Sequence, residues 1–147
     1  MKNPFKISLK ANEKIYVNGA VLRFDRRTSI EFLNDVNFLL EGHVMQIEQA
    51  VSPIQQLYYV IQIMLMAPNN IEMSMAVYKQ QIQAVRNHHE SNSMNIDLLQ
   101  IDDLVKGSKY YEAMKIIRQS GDLIIGKQKI ENKNDIISLN TRSLVYS

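Results

Sequence analysis

The stretch KIYVNGAVLRFDRRTSIEF, residues 14–32, alternates apolar and polar positions on both sides of an Asn-Gly pair. Ile15 and Val17 alternate with Lys14, Tyr16 and Asn18. Leu22 and Phe24 alternate with Val21 and Arg23, and Thr28, Ile30 and Phe32 with Ser29, Glu31 and Leu33. A period of two is the strand period, because successive side chains of a strand point to opposite faces. Asn18-Gly19 is a strong two-residue hairpin signal, since both central positions of that turn need positive φ. Outward from this stretch the same period continues. Phe5, Ile7 and Leu9 alternate with Lys6, Ser8 and Lys10, and Val36, Phe38 and Leu40 with Asn37 and Leu39. Ala11-Asn12-Glu13 and Asn34-Asp35 supply further turns. The pattern predicts a small antiparallel five-stranded β-sheet within residues 1–45, polar on one face.

After residue 50 the period changes to that of helices. Ser52-Pro53 reads as an N-cap followed by proline in the first turn. Ile54, Leu57, Tyr58, Ile61 and Leu65 then follow helical spacing up to Pro68. Asn70 opens a second helix with Ile71, Met75, Tyr78, Ile82 and Val85 inward. HHESNS, residues 88–93, reads as a loop, with Ser93 capping a third helix through Met94, Leu98, Ile101 and Val105. Gly107 stops that helix. Ser108 caps a fourth, with Tyr110, Met114, Ile117 and Ile124 inward. The order of a sheet followed by about four helices makes the chain α+β. Three regions result: the sheet region 1–45, a helical region 46–125, and a polar stretch 126–147 that reads as a mobile tail or partner-binding segment.

At 147 residues and 46% hydrophobic, the chain can bury a core without disulfides, and it has no cysteine. The first residues lack the continuous apolar segment of a secretory signal. The most apolar stretch, LYYVIQIMLMA, is about half the length a membrane span needs. These features point to a cytoplasmic protein with no membrane partner. Catalysis finds little support. The histidines are His43, His88 and His89, and the adjacent pair would point about 100° apart on a helix, poor geometry for one metal. No phosphate-loop, zinc-protease or nucleophile-elbow pattern occurs. Asp102-Asp103 fits a charged helix face. The expectation is a non-enzyme with no cofactor and no metal.

Charge is unevenly placed. Residues 1–27 carry seven Lys or Arg against two acids, and residues 28–45 carry three acids and no Lys or Arg. Such a segment on a chain of net charge +2 suggests a local anion site. Guanidinium groups hold phosphate bidentately or stack on bases, and aromatic rings give single-stranded RNA a sequence-tolerant platform. Arg23, Arg26 and Arg27 are the primary candidates, with Lys6, Lys10, Lys14 and Tyr16 secondary. The competing reading pairs Arg26 and Arg27 with Asp25 and Glu31 in a solvated turn. Tyr58-Tyr59 and Tyr110-Tyr111 are amphipathic pairs, in which one ring packs inside while its neighbour reaches a rim. They are the candidate partner-binding residues.

NGAVLRFDRRTSIEF, preceded by LKANEKIYV and followed by VMQIEQAVSPIQQLYY, resembles the FlbT family of bacterial flagellar regulators, as does GSKYYEAMKIIR at 107–118. The resemblance runs from about Phe5 to Ile125. It implies post-transcriptional control of flagellin synthesis: binding the 5′ untranslated region of flagellin mRNA, usually to repress translation or shorten message lifetime, beside a second small regulator, FlaF. Where the family commonly has two arginines after its helix-opening proline, this chain has Gln55 and Gln56. A fainter likeness of layout is to the carbon storage regulator CsrA, an RNA-binding protein whose dimer uses its first and last strands. It would add Lys6, Ser8 and Lys10 to an RNA surface and makes a homo-oligomer an expectation to test. The rival reading is an interaction module whose helical half binds flagellin or FlaF and acts on the message indirectly.

Overall fold

A computed structural model describes residues 5–91 and 96–121. Five antiparallel strands come first: β1 (Phe5–Leu9), β2 (Lys14–Val17), β3 (Ala20–Arg23), β4 (Thr28–Phe32) and β5 (Phe38–Leu40). Helices α1 (Pro53–Met66), α2 (Ile71–Ser91), α3 (Leu98–Lys106) and α4 (Tyr110–Gln119) follow, with short 3-10 turns at Glu41–His43, Ile47–Gln49 and Pro68–Asn70. The α+β order is the predicted one. The stretch 126–147 and the positions Ser93, Met94 and Ile124 lie outside the described residues.

The strands do not form one hydrogen-bonded sheet. β1 pairs with β4, while β3, β2 and β5 form a second sheet in that order. The reason is visible in β2 and β5, which are apolar at both parities. Ile15 and Phe38 join a small cluster with Leu9, against which Ile7 and Ile30 pack. Leu39 joins the main helical core, with Tyr16 packed against it. A strand apolar on both faces needs cover on both. The β1–β4 ribbon covers one face and the helices the other, giving three thin layers. The Asn18-Gly19 turn has φ of 49° and 87°, both positive as a primed type I turn requires. A Cβ on Gly19 would stand 3.2 Å from Pro68 Cδ, so the hairpin tip sits on the turn between α1 and α2.

Helix α1 is the centre of the core, with Leu57, Tyr58, Ile61, Met64 and Leu65 at most 1% exposed. Its start is a reciprocal cap: the Gln55 amide donates to Ser52 Oγ, and Gln55 Oε1 accepts from the Ser52 amide. Gln55 therefore has a backbone role. Buried Gln62 is satisfied by both backbone groups of Met45, at 2.7 and 2.9 Å.

Three local expectations fail. Residues 88–91 continue α2 and are not loop. Polarity alone suggested a loop there, and the segment contains no glycine or proline to stop a helix. The N-cap of α3 is Asp97, whose carboxylate accepts from the Gln100 amide at 3.0 Å. The N-cap of α4 is Lys109, not Ser108. Ser108 takes the left-handed position (φ 61°) that closes α3, with its amide donating to Val105 O and the Lys109 amide donating to Leu104 O.

Candidate nucleic-acid interface

Antiparallel pairing places the end of β1, the start of β2, the end of β3 and the start of β4 at one end of the sheet layers. Leu9 stands opposite Thr28, and Lys14 opposite Arg23. The two turns at this end are fastened together by the Asn12 amide donating to Phe24 O at 2.7 Å. Asn12 adopts φ 67°, and Glu13 closes its own turn by accepting from the Lys10 amide at 2.8 Å. In the other turn, Thr28 Oγ1 donates to Arg26 O at 2.8 Å. The result is a fixed platform of backbone carrying Lys10, Lys14, Arg23, Arg26 and Arg27, all exposed.

Lys14 and Arg23 are direct cross-strand neighbours on the face that Tyr16 and Val21 share. Like charges directly opposite each other destabilise a pair of strands. Among the described residues neither makes an ion pair, and neither does Arg27. Arg26 bonds Asp25 at 3.3 Å, but the two side chains are 83% and 84% exposed. Water screens a pair that open, so it holds little. Glu13 and Glu41 are spent on backbone amides, those of Lys10 and Lys14. The end carries five cations, Lys10, Lys14, Arg23, Arg26 and Arg27, against the three carboxylates Glu13, Asp25 and Glu41, an excess of positive charge. Arg23 also ends an edge strand, where a cation discourages pairing with another sheet.

The remaining candidates divide. Lys6 stands opposite Glu31 on the ribbon, well up β1 from this end. Tyr16 is half-buried against the helical core, so its ring is not a free platform beside the arginines. Tyr58 is fully buried, donating to His43 O at 2.6 Å and accepting from Arg118. Tyr110 is 6% exposed. Tyr59 and Tyr111 are half-buried, so each pair does divide into an inner and an outer ring. Tyr58 and Tyr110 are core residues with no surface for a partner.

Other charges are already committed. Asp102 accepts from Tyr78 Oη at 2.8 Å and Lys106 Nζ at 2.8 Å, with Arg86 at 3.9 Å. Burial pushes its carboxyl up, but the hydrogen bonds from Lys106 and Tyr78 and the charges of Lys106 and Arg86 outweigh that and hold it below 3.8. Asp102 is thus a tie between α2 and α3. His43 follows β5. Burial and the Arg118 charge lower its pKa, and Glu13 opposes them only in part. It stays neutral at neutral pH and adds no charge. Among the described residues no group of His and carboxylates could hold a metal, and no helix is long and apolar enough to cross a membrane.

Three aromatic rings collect at the opposite end of the layers. Phe38 stacks on Tyr111 with centroids 4.2 Å apart, and Phe32 lies 5.0 Å from Phe38. Their gathering point was not foreseen from the sequence, because Tyr111 lies far along the chain. Asn37 makes the connection: its Nδ2 donates to Ser108 O and its Oδ1 accepts from the Tyr111 amide.

The family model described as "Flagellar protein FlbT" matches residues 5–137. A protein of Agrobacterium fabrum named "Probable flagellum biosynthesis repressor protein FlbT" is 45% identical over 118 residues, 80% of this chain and 79% of its own length. One of a Chelativorans species with the same name is 47% identical, covering 80% and 81%. A Bradyrhizobium diazoefficiens protein, numbered FlbT 2 under that name, is 49% identical over 113 residues, covering 77% and 83%. No solved structure matches the chain.

Proposed function

The chain belongs to the FlbT family, and from that membership we propose that it represses flagellum biosynthesis by binding RNA, taking the 5′ leader of flagellin mRNA at the basic end of its sheet layers. The observation that carries the reading is the Lys14–Arg23 pair, two cations in register that, like Arg27, make no ion pair among the described residues. An RNA backbone supplies the missing anions at a spacing arginine can hold through paired hydrogen bonds. Lys10 and Arg26 stand on the same tied turns. A leader occupied near its ribosome site blocks initiation, and an untranslated message is open to nucleases. No catalytic step and no cofactor enter this proposal.

The test is binding to flagellin leader RNA across a salt series. Counterion release gives a log–log slope of about −0.7 per phosphate contacted on a single strand, so five contacts predict about −3.5. A flat slope, or no binding at low salt, overturns the reading. The alternative is an interaction module for flagellin or FlaF. Its support is the exposed apolar surface of the helical half, where Met73 is 75% and Val77 47% exposed on α2. Such a contact would barely respond to salt.

A further inference from the structure

Arg118 stands in the last turn of α4, and its Nη1 donates to Tyr58 Oη at 3.2 Å. That hydroxyl donates in turn to His43 O at 2.6 Å. The guanidinium carbon lies 5.7 Å from the centre of the Tyr111 ring. Two phenols therefore hold the group in place, and burial keeps both of them neutral by pushing their pKa up. Arg118 is half-buried, yet it makes no ion pair among the described residues. Arginine withdrawn from water is ordinarily paired with an acid. His43, also half-buried, is near enough to feel it: burial and then the Arg118 charge lower the imidazole pKa. Glu13 of the β1–β2 turn opposes them in part, with one oxygen already on the Lys10 amide. Glu41, on the same turn as His43, accepts from the Lys14 amide. A Cβ on Gly42 would meet nothing within 4 Å, so the outer side of this turn is open.

These contacts join the pocket to the basic end. Arg23 stands opposite Lys14, the Lys14 amide is held by Glu41, and His43 is two residues further on. Two strand spacings, about 10 Å, separate β3 from the line of β5, so one extended strand of RNA can cross all three. We propose that Arg118 and His43 form a phosphate site that continues the basic end; for its RNA ligand the proposal rests on the reading above. The guanidinium supplies a fork of donors already oriented by the two phenols. The imidazole supplies a second donor and, once an anion lies beside it, a second positive charge. Free inorganic phosphate has the same chemistry, and the test separates the two sources.

The histidine ring signals of the full chain are followed by NMR against pH, alone, with flagellin leader RNA and with inorganic phosphate. Leader RNA should raise the His43 pKa by about one pH unit, the effect of a close opposite charge, and leave His88 on α2 unchanged. By linkage, a rise of that size makes RNA binding about tenfold tighter on the acid side of the shift. His43→Gln should abolish that gain. Arg118→Gln should reduce the salt slope by roughly 0.7, one phosphate on a single strand, whereas Arg118→Lys, which keeps the charge, should retain it. Should Arg118→Gln fail to fold, the wild-type ring titration still decides. Leader RNA that binds without moving the His43 pKa would overturn the site and leave the basic end standing, as would an unaltered slope in folded Arg118→Gln. If leader RNA does not bind, the RNA reading fails and inorganic phosphate decides the site alone. A saturable rise in the His43 pKa then supports a free-phosphate site, and no rise overturns it.

Discussion

In the helical half, Asp102 gathers Tyr78, Lys106 and Arg86 around one carboxylate, and the apolar stripes of four helices close on each other. In the sheet half, Lys14 faces Arg23 with no acid between them, and all four residues of β3 are exposed. Among the described residues, the ion pairs of the helical half gather on the half-sheltered Asp102, while that of the sheet half, Arg26 with Asp25, lies open to water. Like charges in register cost stability and raise the local positive potential. Under the proposed function the helices supply packing and the basic end of the sheet layers supplies the anion site, with Asn37 joining the two halves.

The sharpest way to break that division is through the core. Ile61 is fully buried at the centre of α1, and Ile61→Ala should lower stability by about 2–5 kcal/mol in chemical denaturation. RNA affinity measured well below the melting temperature should not change. A loss of affinity with the fold intact would mean that the core of α1 contributes directly to recognition.

The hairpin tip gives a smaller effect from the other half. Gly19→Val forces positive φ on a β-branched residue and sets its Cβ against Pro68, so about 1–2 kcal/mol should be lost. A neutral result would show that the tip can move off the helices, and the two halves would then be less firmly joined than their contacts imply.

Smaller again is Tyr78→Phe, which removes one of three partners of Asp102 and should cost on the order of 1 kcal/mol. The acid limb of stability isolates the same group. The folded carboxyl lies below its ordinary 3.8, so its contribution is present above that value and disappears as pH falls through the folded value. Asp102→Asn should therefore be less stable than wild type at neutral pH, with the difference shrinking below about pH 3.8. A constant gap would mean that Asp102 acts by shape and not by charge.

The elements of both halves were legible in the sequence because their periods are clean. Alternation over residues 5–40 and the Asn18-Gly19 pair predicted the strands, and Pro53, Pro68 and Gly107 bounded helices where proline and glycine act. The division into two stacked sheets was harder to read. Its signal is the unbroken apolar run Phe38-Leu39-Leu40, which strict alternation understates. Helix ends set by side-chain oxygens were missed where a nearer residue won, as Asp97 did at α3. The basic end was legible because Lys10, Lys14, Arg23, Arg26 and Arg27 are close in sequence as well as in space. The aromatic cluster was not, because it joins Phe32 and Phe38 to Tyr111 across most of the chain.

The most direct test sets one half against the other in a single assay. Arg26→Ala with Arg27→Ala removes two exposed cations, and Arg86→Ala with Lys106→Ala removes two from the helical network. With flagellin leader RNA, the first double variant should reduce the salt slope by roughly 1–1.5 units and leave stability within about 0.5 kcal/mol per substitution. The second should lower the melting temperature and leave the slope unchanged. A slope untouched by the loss of Arg26 and Arg27, in a protein that still folds and still binds, would contradict the assignment of RNA recognition to the sheet.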